Sequence, residues 1–158
     1  MRQPALRYAA RHPVVTVRNC FPRPAATAVK SLLMQAQLPI SDLSDHLEHF
    51  IGCGTGDRLD GVVGLELYPP YALLRSLAVA ASERGDGVGS ALVADAERHA
   101  RSCGITQIYL LTNTAERFFE RKGYERVPRE AAPPAIRETQ EFAALCPASS
   151  AFMRKRLV

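Results

Sequence analysis

Apolar and polar positions alternate, cluster and space themselves along this chain in ways that predict most of its elements. Val14 to Cys20 is β-branched and alternating, which predicts a first strand. Ala25 to Gln37 repeats Val29, Leu32, Leu33 and Ala36 at helical spacing, with Pro24 where a first-turn proline is tolerated and Pro39 as the stop. Ser41 and Asp42 have the side chains to cap a second short helix running through Leu47. Phe50 to Cys53 reads as a strand, Gly54-Thr55-Gly56-Asp57 as a turn, and Gly61 to Tyr68 as the next strand. Pro69-Pro70 breaks that strand before an apolar one from Ala72 to Val79, so an antiparallel meander is expected. Ala91 to Cys103 predicts a helix closed by Gly104, Gln107 to Thr112 a strand, and Ala115 to Lys122 a helix closed by Gly123. A strand from Tyr124 to Pro128, a short helix from Pro133 to Ala144 and a strand from Ala151 to Leu157 complete the chain. The expectation is one α/β domain over residues 1–158, with 1–12 a loose tail.

Between the Val79 strand and the Ala91 helix lies Ser82-Glu83-Arg84-Gly85-Asp86-Gly87-Val88-Gly89-Ser90, with three glycines at alternate positions behind an arginine. Strand, glycine-rich turn and helix together offer unpaired amide N–H groups at the positive end of a helix dipole, a site for phosphate. A Walker A loop needs Gly-Lys followed by Ser or Thr, and no lysine is present. A dinucleotide fingerprint is nearly met by Gly85, Gly87 and Ser90. However, five residues separate Val79 from Gly85, and no acidic residue follows Leu110-Leu111-Thr112-Asn113. Arg84, Gly87 and Gly89 meet a third pattern, the Arg-x-x-Gly-x-Gly loop that holds the pyrophosphate of acyl-CoA. The plainer alternative is a glycine-rich turn at an ordinary helix start.

From Leu74 to Tyr124 the order of apolar strand, Arg-x-x-Gly-x-Gly loop, helix, strand and a second helix ending in Gly123-Tyr124 resembles the GNAT N-acetyltransferase superfamily. Leu73-Leu74-Arg75-Ser76-Leu77-Ala78-Val79, Tyr109-Leu110-Leu111-Thr112, Thr114-Ala115-Glu116-Arg117-Phe118-Phe119 and Glu141-Phe142-Ala143-Ala144-Leu145-Cys146-Pro147 are similar to GNAT proteins encoded with bacterial arsenic-resistance genes. The resemblance implies a mixed, mostly antiparallel sheet with helices on both faces. It also implies two parallel strands, one before Arg84 and one before Ala115, splaying apart to admit pantetheine. Acetyl-CoA is then the co-substrate. Arg84, Gly85, Asp86, Gly87, Val88, Gly89 and Ser90 hold its pyrophosphate, Leu77, Ala78 and Val79 present backbone groups to pantetheine, and Asn113 bonds a pantetheine amide or, like Thr114, caps the next helix. Many relatives carry a proton-donating tyrosine where this chain has Phe119, which is expected to pack against pantetheine instead. A homodimer is a further expectation of the resemblance.

Composition narrows the partners. The net charge is +4 and the pI near 9.1, without Trp and without a basic stripe interleaved with aromatics, so nucleic acid is not expected. No apolar run approaches the ~18 residues of a membrane span. The Arg-rich, acid-poor start resembles a transit peptide, but Val14-Val15-Thr16-Val17 favours a folded N-terminus, and a secretory h-region is lacking. Cys20, Cys53, Cys103 and Cys146 are widely spaced with no C-x-x-C pair, which predicts reduced thiols in a cytoplasm and no zinc site.

Three residues are singled out for chemistry. Glu66 stands in an otherwise apolar strand, either as a general base or as an exposed carboxylate. Arg75 is a charge amid Leu73, Leu74 and Leu77, either holding a substrate oxyanion or forming a structural ion pair, with Glu66 a candidate partner. Ser76 either touches substrate or is a small polar core residue. His46 and His49 match no zinc-protease pattern, no Gly-x-Ser-x-Gly elbow exists, and Cys146 reads as a loop or packing cysteine; no metal is expected. The expected acceptor is the primary amine of a small molecule bearing an acidic group, an amino acid or an arsenic-containing analogue. The alternatives are a peptide acceptor, a CoA-binding regulatory protein without turnover, and a dinucleotide oxidoreductase.

Overall fold

The computed structural model describes residues 19–43, 47–55 and 58–157. Its strands are β1 (Cys20–Pro22), β2 (Phe50–Thr55), β3 (Arg58–Tyr68), β4 (Tyr71–Val79), β5 (Gln107–Thr112), β6 (Glu125–Arg126) and β7 (Ala151–Arg156). Its α-helices are α1 (Ala26–Gln35), α2 (Val88–Ser102), α3 (Glu116–Arg121) and α4 (Pro134–Arg137), followed by a π-helical turn, Glu141–Leu145. The strands form one sheet in the order β1-β2-β3-β4-β5-β7-β6. Every neighbouring pair is antiparallel except β4 and β5, which are parallel. The expected Val14–Val17 portion of the first strand, His46 and the Gly56-Asp57 turn lie outside the described residues.

Alternation on the strands sorts the core into two layers. Ile51 and Cys53, Val63 and Leu65, and Ala72 and Leu74 face α2, where they meet Val88, Leu92, Val93, Ala96 and Ala100. The opposite face carries α1 through Val29, Leu32 and Leu33 against Phe50, Val62 and Ala78. Further along that face, Ile136 of α4 packs with Leu73, Tyr109 and Phe152. Helices therefore cover both faces, as the resemblance implies.

Two features of β4 open the sheet. Its parallel pairing with β5 covers only Tyr71 to Leu73 against Gln107 to Tyr109, and beyond Leu73 the two strands have no shared ladder. On its other edge Val62 pairs with Ala78 while Gly64 pairs with Arg75, so β4 holds one extra residue there. Ser76 adopts φ 58°, the left-handed geometry of a bulge residue. The extra residue resets the alternation, leaving Arg75 on the α1 face and returning Leu77 to the α2 face.

Four expectations are corrected. The helix after the glycine loop begins at Val88 instead of Ala91, because Gly87 at φ 81° takes the N-cap position. The segment from Pro133 to Ala144 is two short pieces: the Thr139 hydroxyl donates to the Ile136 carbonyl and accepts the Phe142 N–H, interrupting the backbone ladder. The strand expected from Tyr124 to Pro128 is cut to two residues, followed by the 3-10 turn Arg129–Ala131. Cys20 and Cys53 are joined in a disulfide, whereas all four thiols were expected reduced. They are 33 residues apart in sequence but directly opposite in the β1–β2 register, with Cα atoms 4.1 Å apart, a closeness that linear spacing does not reveal. Cys103 and Cys146 are free.

Candidate active site

The glycine loop leaves β4 at Val79, passes through a 3-10 turn, Ala81–Glu83, and enters α2. Gly85 and Gly87 hold φ 90° and 81°, and a Cβ at either would meet no protein atom within 4 Å. Their glycines answer a backbone requirement and leave the space above the loop open. Val88 is buried and anchors the turn in the core, while Arg84, Gly85, Asp86 and Gly87 are exposed and Gly89 and Ser90 half-buried. The first intrahelical bond of α2 runs from Ala91 N–H to Gly87 O. The amides of Val88, Gly89 and Ser90 thus precede the helical ladder, at the positive end of a 15-residue helix. Arg84 Nε lies 3.4 Å from the Val79 carbonyl, which folds the arginine back over the strand end.

Beyond Leu73 the splayed β4 and β5 wall a cleft of about 680 Å³. Leu74 to Leu77 line it from β4, Leu110 to Thr112 from β5, and Asn113 to Ala115 from the entry to α3. Ala36 to Pro39 border it on the α1 side, and Glu141, Leu145, Cys146, Pro147 and Ser150 on the other. Phe119 lines the cleft too, buried and edge-on to Phe118 and Tyr124, with no hydroxyl to give. Asn113 accepts a hydrogen bond from Ser150 Oγ at 2.7 Å. The helix cap is neither Asn113 nor Thr114, because Thr112 Oγ accepts the Ala115 N–H. Ala78 is buried against α1, and Val79 packs on the α2 side.

Arg75 is the centre of a buried charge cluster. Its side chain is 0% exposed. It donates through both terminal nitrogens to Asp42, Nη2 reaching Oδ1 at 2.7 Å. Nη1 also donates to Glu66 Oε2 at 3.0 Å, and Nη2 lies 3.5 Å from Glu141 Oε1. Nε donates to Ser76 Oγ at 3.1 Å, and Tyr68 OH donates to the other Glu66 oxygen at 2.6 Å. Burial alone would lower the Arg75 pKa; the Asp42 hydrogen bonds and the charges of Glu141, Asp42 and Glu66 outweigh it and hold it above the ordinary value. Of the two readings of Arg75, the structure displays the ion pair, with Glu66 among its partners as expected. Glu66 is itself buried on the α1 face and sits behind Arg75, away from the cleft lining.

Among the described residues, Glu141 and Cys146 are the ionisable side chains besides Arg75 in the cleft lining. Burial pushes the Glu141 pKa up to about 7; Arg75 opposes this, and Glu66 and Asp42 add to it. Cys146 Sγ lies 3.9 Å from Glu141 Oε2, and burial with the Glu141 charge raises its thiol to about 11. Sequence reasoning passed over Glu141 and treated Asp42 as a cap. The available signal was a single carboxylate with apolar neighbours in each of two segments, 38–43 and 141–145. Among the described residues no cluster of three or more His, Cys, Asp or Glu could hold a metal ion.

Three comparisons place the chain. Residues 16–124 match the Acetyltransferase (GNAT) family. An uncharacterised N-acetyltransferase of Chlorobaculum tepidum is 29% identical over 98 residues, 61% of this chain and 63% of that protein. The match thus spans under two thirds of that relative. N-acetylglutamate synthase from Neisseria gonorrhoeae, solved with coenzyme A and N-acetyl-glutamate, superposes with a TM-score of 0.74 at 18% identity over 89% of this chain and 35% of its own. An aminoglycoside 6'-N-acetyltransferase solved with coenzyme A gives 0.68 at 17% identity, over 89% of this chain and 97% of its own. At such identities these two show the fold. With the splayed parallel strands, the glycine loop at the start of α2 and a family match across more than half its length, the chain belongs to the GNAT acetyltransferase family.

Proposed function

We propose that this protein transfers an acetyl group from acetyl-CoA to the primary amine of a small molecule. The observation that carries the reading is the open gap between β4 and β5, beginning at Leu73 and Tyr109 on the strand that leads into the Arg84-to-Ser90 loop. The pyrophosphate takes the loop amides and Arg84. Pantetheine, with its own amide groups, lies along the unpaired edge of Leu77 to Val79 as a surrogate strand, with Asn113 across from it and Phe119 against its chain. The acetyl group then reaches the middle of the cleft, beside Ser76 and Glu141.

The reaction there needs a neutral amine. The ammonium form gives one proton to a carboxylate, the nitrogen attacks the thioester carbon, the C–N bond forms and the C–S bond breaks. CoA leaves as thiolate, and the second nitrogen proton passes to water. Phe119 cannot protonate the thiolate, so positioning carries more of the catalysis than in relatives with a tyrosine. Of the candidate carboxylates, Glu66 would act only through a water, while Glu141 borders the cleft. Arg75 and Ser76 serve as positioning residues.

The fold neighbours act on an acidic amino acid in one case and an aminoglycoside in the other, by their names, so likeness does not choose an acceptor. An arsenic-containing amino acid belongs in the test panel on the strength of the sequence resemblance alone. The cytoplasmic expectation loses one of its grounds, since Cys20 and Cys53 are paired. Absence of a donor at Phe119 favours one second reading, a CoA-binding regulator without turnover. Calorimetry with CoA, acetyl-CoA and NADPH, followed by thiol release over amines, amino acids and peptides, separates these. CoA binding with thiol release supports the proposal, and CoA binding without release on any acceptor supports the regulator. Heat from NADPH alone overturns the reading of the loop.

A further inference from the structure

The β5–β7 ladder ends with Thr112 opposite Ala151. Asn113 and Ser150 are the next residues beyond that rung, and both line the cleft. Ser150 Oγ lies 2.7 Å from Asn113 Oδ1, the usual separation for an O–H donor and shorter than the usual N–H contact. The hydroxyl therefore donates, and the planar Asn113 amide turns its oxygen toward Ser150. The amide NH2 is then held on the side away from Ser150, and among the described residues it has no hydrogen-bond partner. Asn113 is exposed, so its amide has no packing to fix it. Ser150 is only 5% exposed, and its backbone is held from two directions. Its N–H donates to the Pro147 carbonyl at 3.0 Å. Arg129 Nη2 donates to that same carbonyl at 2.9 Å and to the Ser150 carbonyl at 3.4 Å, with its guanidinium 5.3 Å from the centre of the Phe142 ring. A fixed hydroxyl thus meets an otherwise unanchored amide.

We infer that Ser150 is a positioning residue for the coenzyme: by holding Asn113 Oδ1 it aims the Asn113 NH2 at a carbonyl of pantetheine. The inference rests on the acetyl-CoA reading and deepens it. Pantetheine carries two amides, and each offers both a carbonyl and an N–H. An asparagine free to flip could meet either with its nitrogen or its oxygen. Ser150 occupies the oxygen, so the group recognised is a carbonyl. The amide is also ordered before the coenzyme arrives, which lowers the entropy lost on binding. Arg129 contributes one step further back, by fixing the turn that carries Ser150.

The test is calorimetry with two ligands, CoA and 3'-phospho-ADP, which keeps the adenosine and pyrophosphate of CoA but lacks pantetheine. Ser150→Ala should weaken CoA by roughly three- to tenfold, the worth of one hydrogen bond, and leave 3'-phospho-ADP unchanged. On an Asn113→Ala background the same substitution should cost nothing further, because its effect passes through Asn113. Asn113→Asp keeps an oxygen for Ser150 and has no N–H to give, so it should bind CoA no better than Asn113→Ala. A purely structural Ser150 would weaken both ligands alike, or would act in full without Asn113. Either result, or CoA affinity unchanged in Ser150→Ala, overturns the inference and leaves the coenzyme reading standing. Wild-type affinity for CoA in Asn113→Asp overturns the donor role of Asn113. A wild-type protein that binds no CoA overturns the coenzyme reading and this inference together.

Discussion

Gly87 shows how much a single position can carry. Its φ of 81° suits glycine, and the space a Cβ would occupy is empty of protein. Gly87→Val should cost the fold about 1–2 kcal/mol of backbone strain. Its CoA affinity should fall well beyond that, because the new side chain stands where the pyrophosphate would lie. Calorimetry beside thermal melting checks both halves. Asp42 is the opposite case, a residue that matters through the buried partner it holds. Asp42→Ala leaves the Arg75 guanidinium buried without its bidentate acceptor, and should lose about 3–5 kcal/mol of stability in urea titration. Sequence marked Arg75 as anomalous, since a charge in an apolar strand demands a partner. It offered Glu66, which is correct, and passed over Asp42 and Glu141, which come from segments 33 residues earlier and 66 later in the chain. Local patterns report what a residue needs but not which distant segment supplies it.

At the scale of elements, periodicity read β3, β4 and β5 closely, because alternation and length agree there and Pro69-Pro70 separates two of them. It failed where one side chain competes with the backbone, as Thr139 does, or where a glycine N-cap starts a helix inside what reads as a loop. The β1–β2 staple was illegible because register across an antiparallel pair is not visible in spacing. Thiol titration of the unfolded, unreduced protein should count the two free cysteines of the four. Cys20→Ser should lower stability by about 3–4 kcal/mol if loop closure dominates, readable as a lower denaturation midpoint. A second tie joins the turn Leu47–His49 to α2, where His49 Nδ1 lies 3.1 Å from His99 Nε2. Burial and the neighbouring His49 lower the His99 pKa from 6.5. The folded state therefore disfavours the imidazolium. The contribution is present above pH 6.5 and is lost as pH falls through the lowered folded value. Melting of wild type against His99→Asn should converge on acidification.

Taken whole, the molecule is a sheet with a deliberate break in its middle. The meander, the splayed parallel pair and the helical cover followed from the apolar pattern and the resemblance together, but the place of β7 between β5 and β6 and what the break is lined with did not. The carboxylates that hold Arg75 at its wall come from the loop after α1, from β3 and from the π-helical turn, three places with no mutual signature in sequence. Stopping the β4–β5 ladder at Leu73 and Tyr109 has a further result. An unpaired strand edge is a template for another chain, whether it lies at the rim of a sheet or inside it. Without coenzyme, Leu77 to Val79 present such an edge, and concentrated protein should scatter light sooner on warming than the same protein saturated with CoA. Gly87→Val should scatter early with or without it. The cofactor would then act as a chaperone for the strand proposed to hold it.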